Sequence, residues 1–196
     1  MPEGLEVYVL AKVLKNLGIV SSSHGKHLLF KDPHTGNMFD MSFGLEGKIR
    51  ISKDLKISKV CVEGKPCGSV TSITTFQEVK DTLGIDWVSS SREQILQVVK
   101  SWGLRKKQIS ALLVDQTQIA GIGRYWVNKI LQKAMIDGTT KAHTLDFLNL
   151  VDPLVDAIIK VRNKALETYM SNIPKDEQSF VNKWFENLYA VRSNTK

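Results

Sequence analysis

Long apolar runs are missing from this chain, which excludes a bilayer-spanning helix of about twenty apolar residues. The first residues also lack the basic, apolar, small-residue order of a secretory signal. The expectation is a soluble intracellular protein without membrane association, cytoplasmic and nuclear locations not being distinguished. Cysteine is scarce. Cys61 and Cys67 have no Cys or His pattern around them, so neither a disulfide framework nor a zinc site is expected, and no metal or cofactor is implied. Internal repeats and low-complexity segments are absent too. What the chain has is positive charge: 27 Lys and Arg against 20 Asp and Glu, a formal +7 over 196 residues. That balance favours polyanionic partners, although basic proteins without nucleic-acid function are common. Basic residues gather at Lys48, Arg50, Lys53, Lys56 and Lys59, at Arg105-Lys106-Lys107, and at Arg124, Lys129 and Lys133. The first group suits a solvated face. The other two flank one short motif.

The length allows one large domain or two small ones. Residues 2 to about 17 read as a helix: Pro2 suits the first helical position and Glu3 and Glu6 suit the first turn. Leu10, Val13, Leu14 and Leu17 then form a stripe that Gly18 terminates. From about 25 to 80 the texture is β-like. His27-Leu28-Leu29-Phe30, Met38-Phe39-Asp40-Met41 and Lys48-Ile49-Arg50-Ile51 are strand-like, with turns at Asp32-Pro33 and Gly36-Asn37. After Ser89-Ser90-Ser91 the period becomes helical, ending in a long segment from Thr144 towards Tyr169. This predicts an α+β protein: an N-terminal helix with a β-sandwich-like domain over 1–88, then an all-helical domain over 89–196.

Met1-Pro2-Glu3-Gly4 carries the chemistry. Initiator methionine is normally removed before a small residue such as proline, which would expose a secondary amine at Pro2. Such an amine can attack C1′ of a damaged nucleoside and displace the base. The resulting iminium acidifies the neighbouring sugar proton and permits strand cleavage by elimination. A neighbouring carboxyl, Glu3, can move protons at the sugar. Ordinary helix-start capping explains the same tetrapeptide when it is read alone.

Met1-Pro2-Glu3-Gly4-Leu5-Glu6-Val7 resembles the opening of the formamidopyrimidine-DNA glycosylase and endonuclease VIII family, whose usual form has proline at the position of Leu5. The resemblance implies Pro2 as nucleophile, Glu3 as essential acid and Glu6 as their support. Gly25-Lys26-His27-Leu28-Leu29-Phe30 is similar to the family's Gly-Lys-Tyr-Leu-Leu strand, implying that Lys26 binds phosphate beside the lesion and assists the chemistry; a solvated strand-edge lysine is the plainer reading. Ser42-Phe43-Gly44-Leu45-Glu46-Gly47 resembles His-Leu-Gly-Met-Thr-Gly, implying that Leu45 wedges into the void left by the extruded base; a leucine is more often core.

Leu112-Leu113-Val114-Asp115-Gln116, then Ile119-Ala120-Gly121-Ile122-Gly123-Arg124, resembles the family's helix-two-turns-helix signature. Gly121 and Gly123 permit a tight backbone and close approach of another chain. The next helix aims unsatisfied N–H groups and its positive end at a phosphate, although such a pair can also serve packing alone. Leu83-Gly84-Ile85-Asp86-Trp87 looks like the link between the family's domains. Arg124 replaces the family's phosphate-binding asparagine, with longer reach and a full charge. No counterpart of the arginine loop that reads the opposite base is recognisable between 52 and 82. Phe185-Glu186-Asn187-Leu188-Tyr189-Ala190-Val191-Arg192 approaches the sequence before the family's zinc finger, so a shortened member lacking that finger is expected. The stretch between Gly18 and Gly25 is short as well, as if a piece of the N-terminal sheet were missing.

The expectation is therefore a bifunctional glycosylase and abasic-site lyase of base excision repair. Its catalytic residues would be Pro2, Glu3, Glu6 and Lys26. Its DNA-binding residues would be Lys26, Leu45, Gly121, Gly123 and Arg124. Its partner would be damaged DNA, as single strand, bubble or duplex, bound by a monomer. A non-catalytic nucleic-acid binder of the same fold and an RNA-associated structural protein are the competing readings.

Overall fold

The computed structural model describes residues 3–43, 48–61, 63, 67–173, 176 and 179–183. Helix α1, Gly4–Asn16, lies within the expected span, its N-cap being Glu3. Leu5, Leu10, Val13 and Leu14 are wholly buried, because strands cover one side of α1 and the last long helix another. A Leu-to-Ala change at such a position costs about 2–5 kcal/mol.

Strands β1 (Ser21–His24), β2 (His27–Lys31), β3 (Met38–Ser42) and β6 (Val70–Ile73) form one antiparallel sheet in the order β1-β2-β3-β6, and β4 (Lys48–Ile51) and β5 (Ile57–Val60) pair separately. The short stretch before Gly25 is thus a strand. Its serines gave no apolar alternation, yet Ser21 pairs with Phe30 and its hydroxyl donates to the Ala11 carbonyl at 2.8 Å, fixing β1 to α1. His24 faces His27 across the two-residue turn Gly25-Lys26. Gly25, at φ 56°, meets the positive-φ requirement of the first turn position.

The cysteines correct the sequence reading: Cys61 and Cys67 form a disulfide, with Cα atoms 5.4 Å apart. The bridge lies between β5 and β6, with the two Cα atoms within bridging distance. Cysteine number and spacing do not reveal that proximity.

Beyond the sheet come α2 (Phe76–Lys80), the two-residue strand β7 (Ile85–Asp86), α3 (Arg92–Ser101), α4 (Ile109–Leu113), β8 (Ile119–Ala120), α5 (Arg124–Ala134) and α6 (Val151–Ser171). Ser91 caps α3 with Gln94 in a reciprocal box, as the serine run suggests. The long final segment is shorter than its periodicity implies. A 3-10 turn occupies Ala142–Thr144, Asn149 adopts φ 55°, and α6 starts only at Val151, with Pro153 in the first turn where a missing N–H is tolerated. Trp87, Trp102 and Trp126 are at most 1% exposed and anchor the helical core.

Candidate active site

Glu3 is extended, and its N–H donates to Glu6 Oε2 at 2.9 Å. The other carboxylate oxygen of Glu6 accepts from the Tyr169 hydroxyl at 2.7 Å, a bond between residues 163 positions apart. Both acids are buried, Glu3 at 5% and Glu6 at 1% exposure. A buried carboxylate requires such partners. Glu6 therefore joins the backbone of the first turn to α6.

The first turn also docks on the turn between α4 and α5. The Gly4 N–H donates to the Gly121 carbonyl at 2.9 Å. Gly121 stands at φ 99°, and a Cβ there would lie 2.8 Å from Trp87 Cδ1 and 3.1 Å from Gly25 Cα. Only glycine meets both demands. Gly123 caps α5 in an extended conformation, and a Cβ on it would fall 2.0 Å from Glu3 Oε1. The Glu3 carboxyl thus occupies the space a side chain at 123 would fill, beside the positive end of α5.

Gln116 holds this turn together. Its amide donates to the carbonyls of Val114 (2.8 Å) and Ile122 (3.0 Å) and accepts from the Gly121 N–H (2.8 Å). The segment joining the β-rich and helical parts runs alongside. β7 pairs in parallel with β8, Gly84 N–H reaches Gln116 O at 2.9 Å, and Trp87 N–H reaches Ala120 O at 3.1 Å. Buried Asp86 accepts from the Gly25 N–H at 3.3 Å and the Ser89 hydroxyl at 2.7 Å, locking the Lys26 turn to that segment. Arg162 of α6 donates to the carbonyls of Trp87 (3.2 Å) and Ser90 (2.6 Å). Burial lowers its pKa, partly opposed by the Asp86 charge.

Of the residues singled out from sequence, Glu3, Glu6, Gly121 and Gly123 meet in one buried junction. Lys26 is half-buried and adjoins it through Gly25, which packs on Ala120 and Gly121. Arg124 is the exposed first residue of α5. Pro2 and Leu45 lie outside the described residues. The sequence reading missed Gln116, Asp86, Arg162 and Tyr169 as organisers. It also missed His27, beside Lys26, whose Nδ1 lies 2.9 Å from Asp40 and which pairs across the ladder with Ser42. Gln116 and Asp86 sit inside the quoted motifs, so a role was signalled there; nothing local signals Tyr169. Among the described residues no group of three or more His, Cys, Asp or Glu could hold a metal, and no helix is long and apolar enough to cross a membrane.

The arrangement offers a carboxyl at the start of the chain, a lysine on a tight turn and an arginine at a helix N-terminus. That combination suits acid–base work beside a phosphate.

The family model of the formamidopyrimidine-DNA glycosylase H2TH domain matches residues 83–176. By sequence, no curated protein matches. Solved structures do. The MutM (Fpg) protein of Thermus thermophilus superposes with a TM-score of 0.70 at 18% identity, over 86% of this chain and 77% of that one. Lactococcus lactis formamidopyrimidine-DNA glycosylase, non-covalently bound to DNA containing an AP site, gives 0.67 at 19% identity, over 91% and 86%. The wild-type Lactococcus lactis enzyme with DNA containing N7-benzyl-Fapy-dG gives 0.66 at 20%, over 94% and 86%.

Proposed function

From a chain that carries the H2TH domain of the formamidopyrimidine-DNA glycosylase family and has that family's fold, we propose a DNA glycosylase with abasic-site lyase activity, using the Pro2 amine. The observation that carries this reading is the placement of Glu3. The carboxyl beside Pro2 is buried against Gly123, at the start of α5. A helix-start acid used only for capping needs no second element shaped around it. The relatives in complex with AP-site and Fapy-dG DNA support damaged DNA as the partner.

In this reading residues 1–88 carry the catalytic groups and residues 89–196 grip the DNA. With Met1 removed, the free Pro2 nitrogen attacks C1′ of an extruded nucleotide and the bond from C1′ to the base breaks. Glu3 passes a proton at the sugar as the ring opens. The iminium then draws the electrons of the C2′–H bond, whose proton is lost, and the 3′ phosphate departs by elimination. Lys26 and Arg124 hold the flanking phosphates.

The test is borohydride trapping on abasic-site DNA, with intact mass to establish that the protein begins at Pro2. Covalent trapping by the wild type and much weaker trapping by Pro2→Ala are expected. Glu3→Gln should bind DNA and lose excision of a damaged base, while lyase action on a pre-formed abasic site suffers less. A wild type that starts at Pro2, binds DNA and forms no trapped adduct would instead be a non-catalytic relative.

A further inference from the structure

Helices α5 and α6 pack together, and a groove of about 470 Å³ opens along their contact. Its lining is chemically one-sided. Lys129 and Lys133 rise from α5, Lys160 and Lys164 from α6, and half-buried Val161 with the lysine stems makes an apolar lining above buried Trp126 and Ala165. Among the described residues no acidic one lines it, and none of the four lysines has a salt-bridge partner. Each helix therefore holds two like charges one turn apart facing the groove. Like charges at that spacing cost an isolated helix about 0.2–0.5 kcal/mol per pair. An anion lying between the helices removes both penalties.

We propose that this groove docks an acidic segment of a partner protein that also carries apolar side chains. Charge complementarity fixes the sign of the occupant, and the apolar lining fixes its kind. Phosphodiester chains are gripped by cations without need of an apolar trough, and single strands add exposed aromatic faces on which bases stack. Trp126 is only 1% exposed and offers no such face. A peptide that alternates or staggers carboxylates with Leu-type side chains meets both features, its acids on the lysine rims and its apolar groups on Val161 and the lysine stems, in the manner of a helix laid in a groove. The volume lies in the range of specific ligand pockets. Its far end also lies away from the proposed chemistry. It runs to Lys133, about 13 Å along α5 from Arg124 at the usual helical rise. The chain's own residues after 183 suit it poorly, since their one acid, Glu186, is outnumbered by Arg192 and Lys196.

The probe is a short synthetic peptide alternating Glu with Leu, titrated into the full-length protein. Oligoglutamate of equal charge and oligothymidylate serve as comparisons. Saturable binding that moves the Val161 methyl resonances is expected, with both comparison polyanions at least about tenfold weaker. In the Lys129→Gln/Lys133→Gln/Lys160→Gln/Lys164→Gln variant, peptide affinity should fall at least about tenfold while affinity for abasic-site duplex changes much less. Equal binding of oligoglutamate or oligothymidylate would show a plain polyanion surface and overturn the proposal. So would Val161 methyl resonances that stay still, or peptide affinity unmoved by the four substitutions. An equal loss of duplex affinity in the variant would assign the groove to the DNA interface and overturn it too.

Discussion

Gly123→Ala tests the junction at its tightest point. Its φ of −118° is open to alanine, so the substitution carries no backbone strain and its effect isolates one contact. The added Cβ would stand 2.0 Å from Glu3 Oε1, 2.2 Å from Cδ and 2.8 Å from Cγ. No real carbon tolerates such distances, so the whole carboxyl arm of Glu3 must leave its place. Overpacking of this kind costs about 1–3 kcal/mol. For a chain of this size that lowers Tm by about 2–4 °C per kcal/mol. The diagnostic is a double-mutant cycle by urea unfolding. Against Glu3→Ala, which removes the three atoms nearest the new methyl, Gly123→Ala should cost much less. The coupling energy should then be most of the cost of Gly123→Ala alone. Excision by the single Gly123→Ala variant should collapse while its circular dichroism stays native. Additive costs, or an active Gly123→Ala enzyme, would refute the claim that Glu3 fills this space.

Three further outcomes are expected. Tyr169→Phe should cost about 1–3 kcal/mol in urea unfolding, because it deprives the buried Glu6 carboxylate of a partner; a cost below a few tenths would show the hydroxyl bond to be unimportant. Asp115 is held below its ordinary 3.8, chiefly by the Thr117 hydroxyl and against the opposing effect of burial. Since the folded pKa is depressed, the stability it confers is present above about pH 3.8 and disappears as pH falls through the lower folded value. The urea-measured gap between wild type and Asp115→Asn should thus be flat near neutrality and close only in acid. Lys26→Ala and Arg124→Ala should each flatten the log–log salt dependence of duplex binding by about 0.9 for every phosphate no longer neutralised, read by anisotropy; unchanged slopes would remove them from the interface.

The sequence was most legible where a rule is local. A stripe ending at Gly18 made α1 visible, the serine run marked the start of α3, and paired glycines marked the turn before α5. It was least legible where form depends on a distant partner. The Ser21-Ser22-Ser23 stretch has no strand signature and becomes one because α1 and β2 supply bonds for it. β5 and β6 were not foreseen for the same reason, being held by pairing more than by burial. The disulfide depends on a proximity that spacing does not encode. At the site, residue identities in the quoted motifs drew attention to Glu3, Glu6, Gly121 and Gly123. That Gly123 is small so that Glu3 can fit, and that Glu6 answers to Tyr169, are facts of packing.

The bond from Glu6 to Tyr169 has a consequence for the order in which the molecule becomes competent. A ribosome that has released α1 and strands β1 to β6 has released Glu3 and Glu6, but not their anchorage. Gly121 must emerge before the Gly4 amide can dock, and Tyr169 before the Glu6 carboxylate has its second partner. The two ends of the fold close on each other late in synthesis, a contact of high sequence separation that forms slowly. A nascent chain halted before α6 would leave the Glu6 carboxylate without its Tyr169 partner. The same long-range lock ties the first turn to the helical part, since a fragment ending before Gly121 lacks the carbonyl on which Gly4 docks.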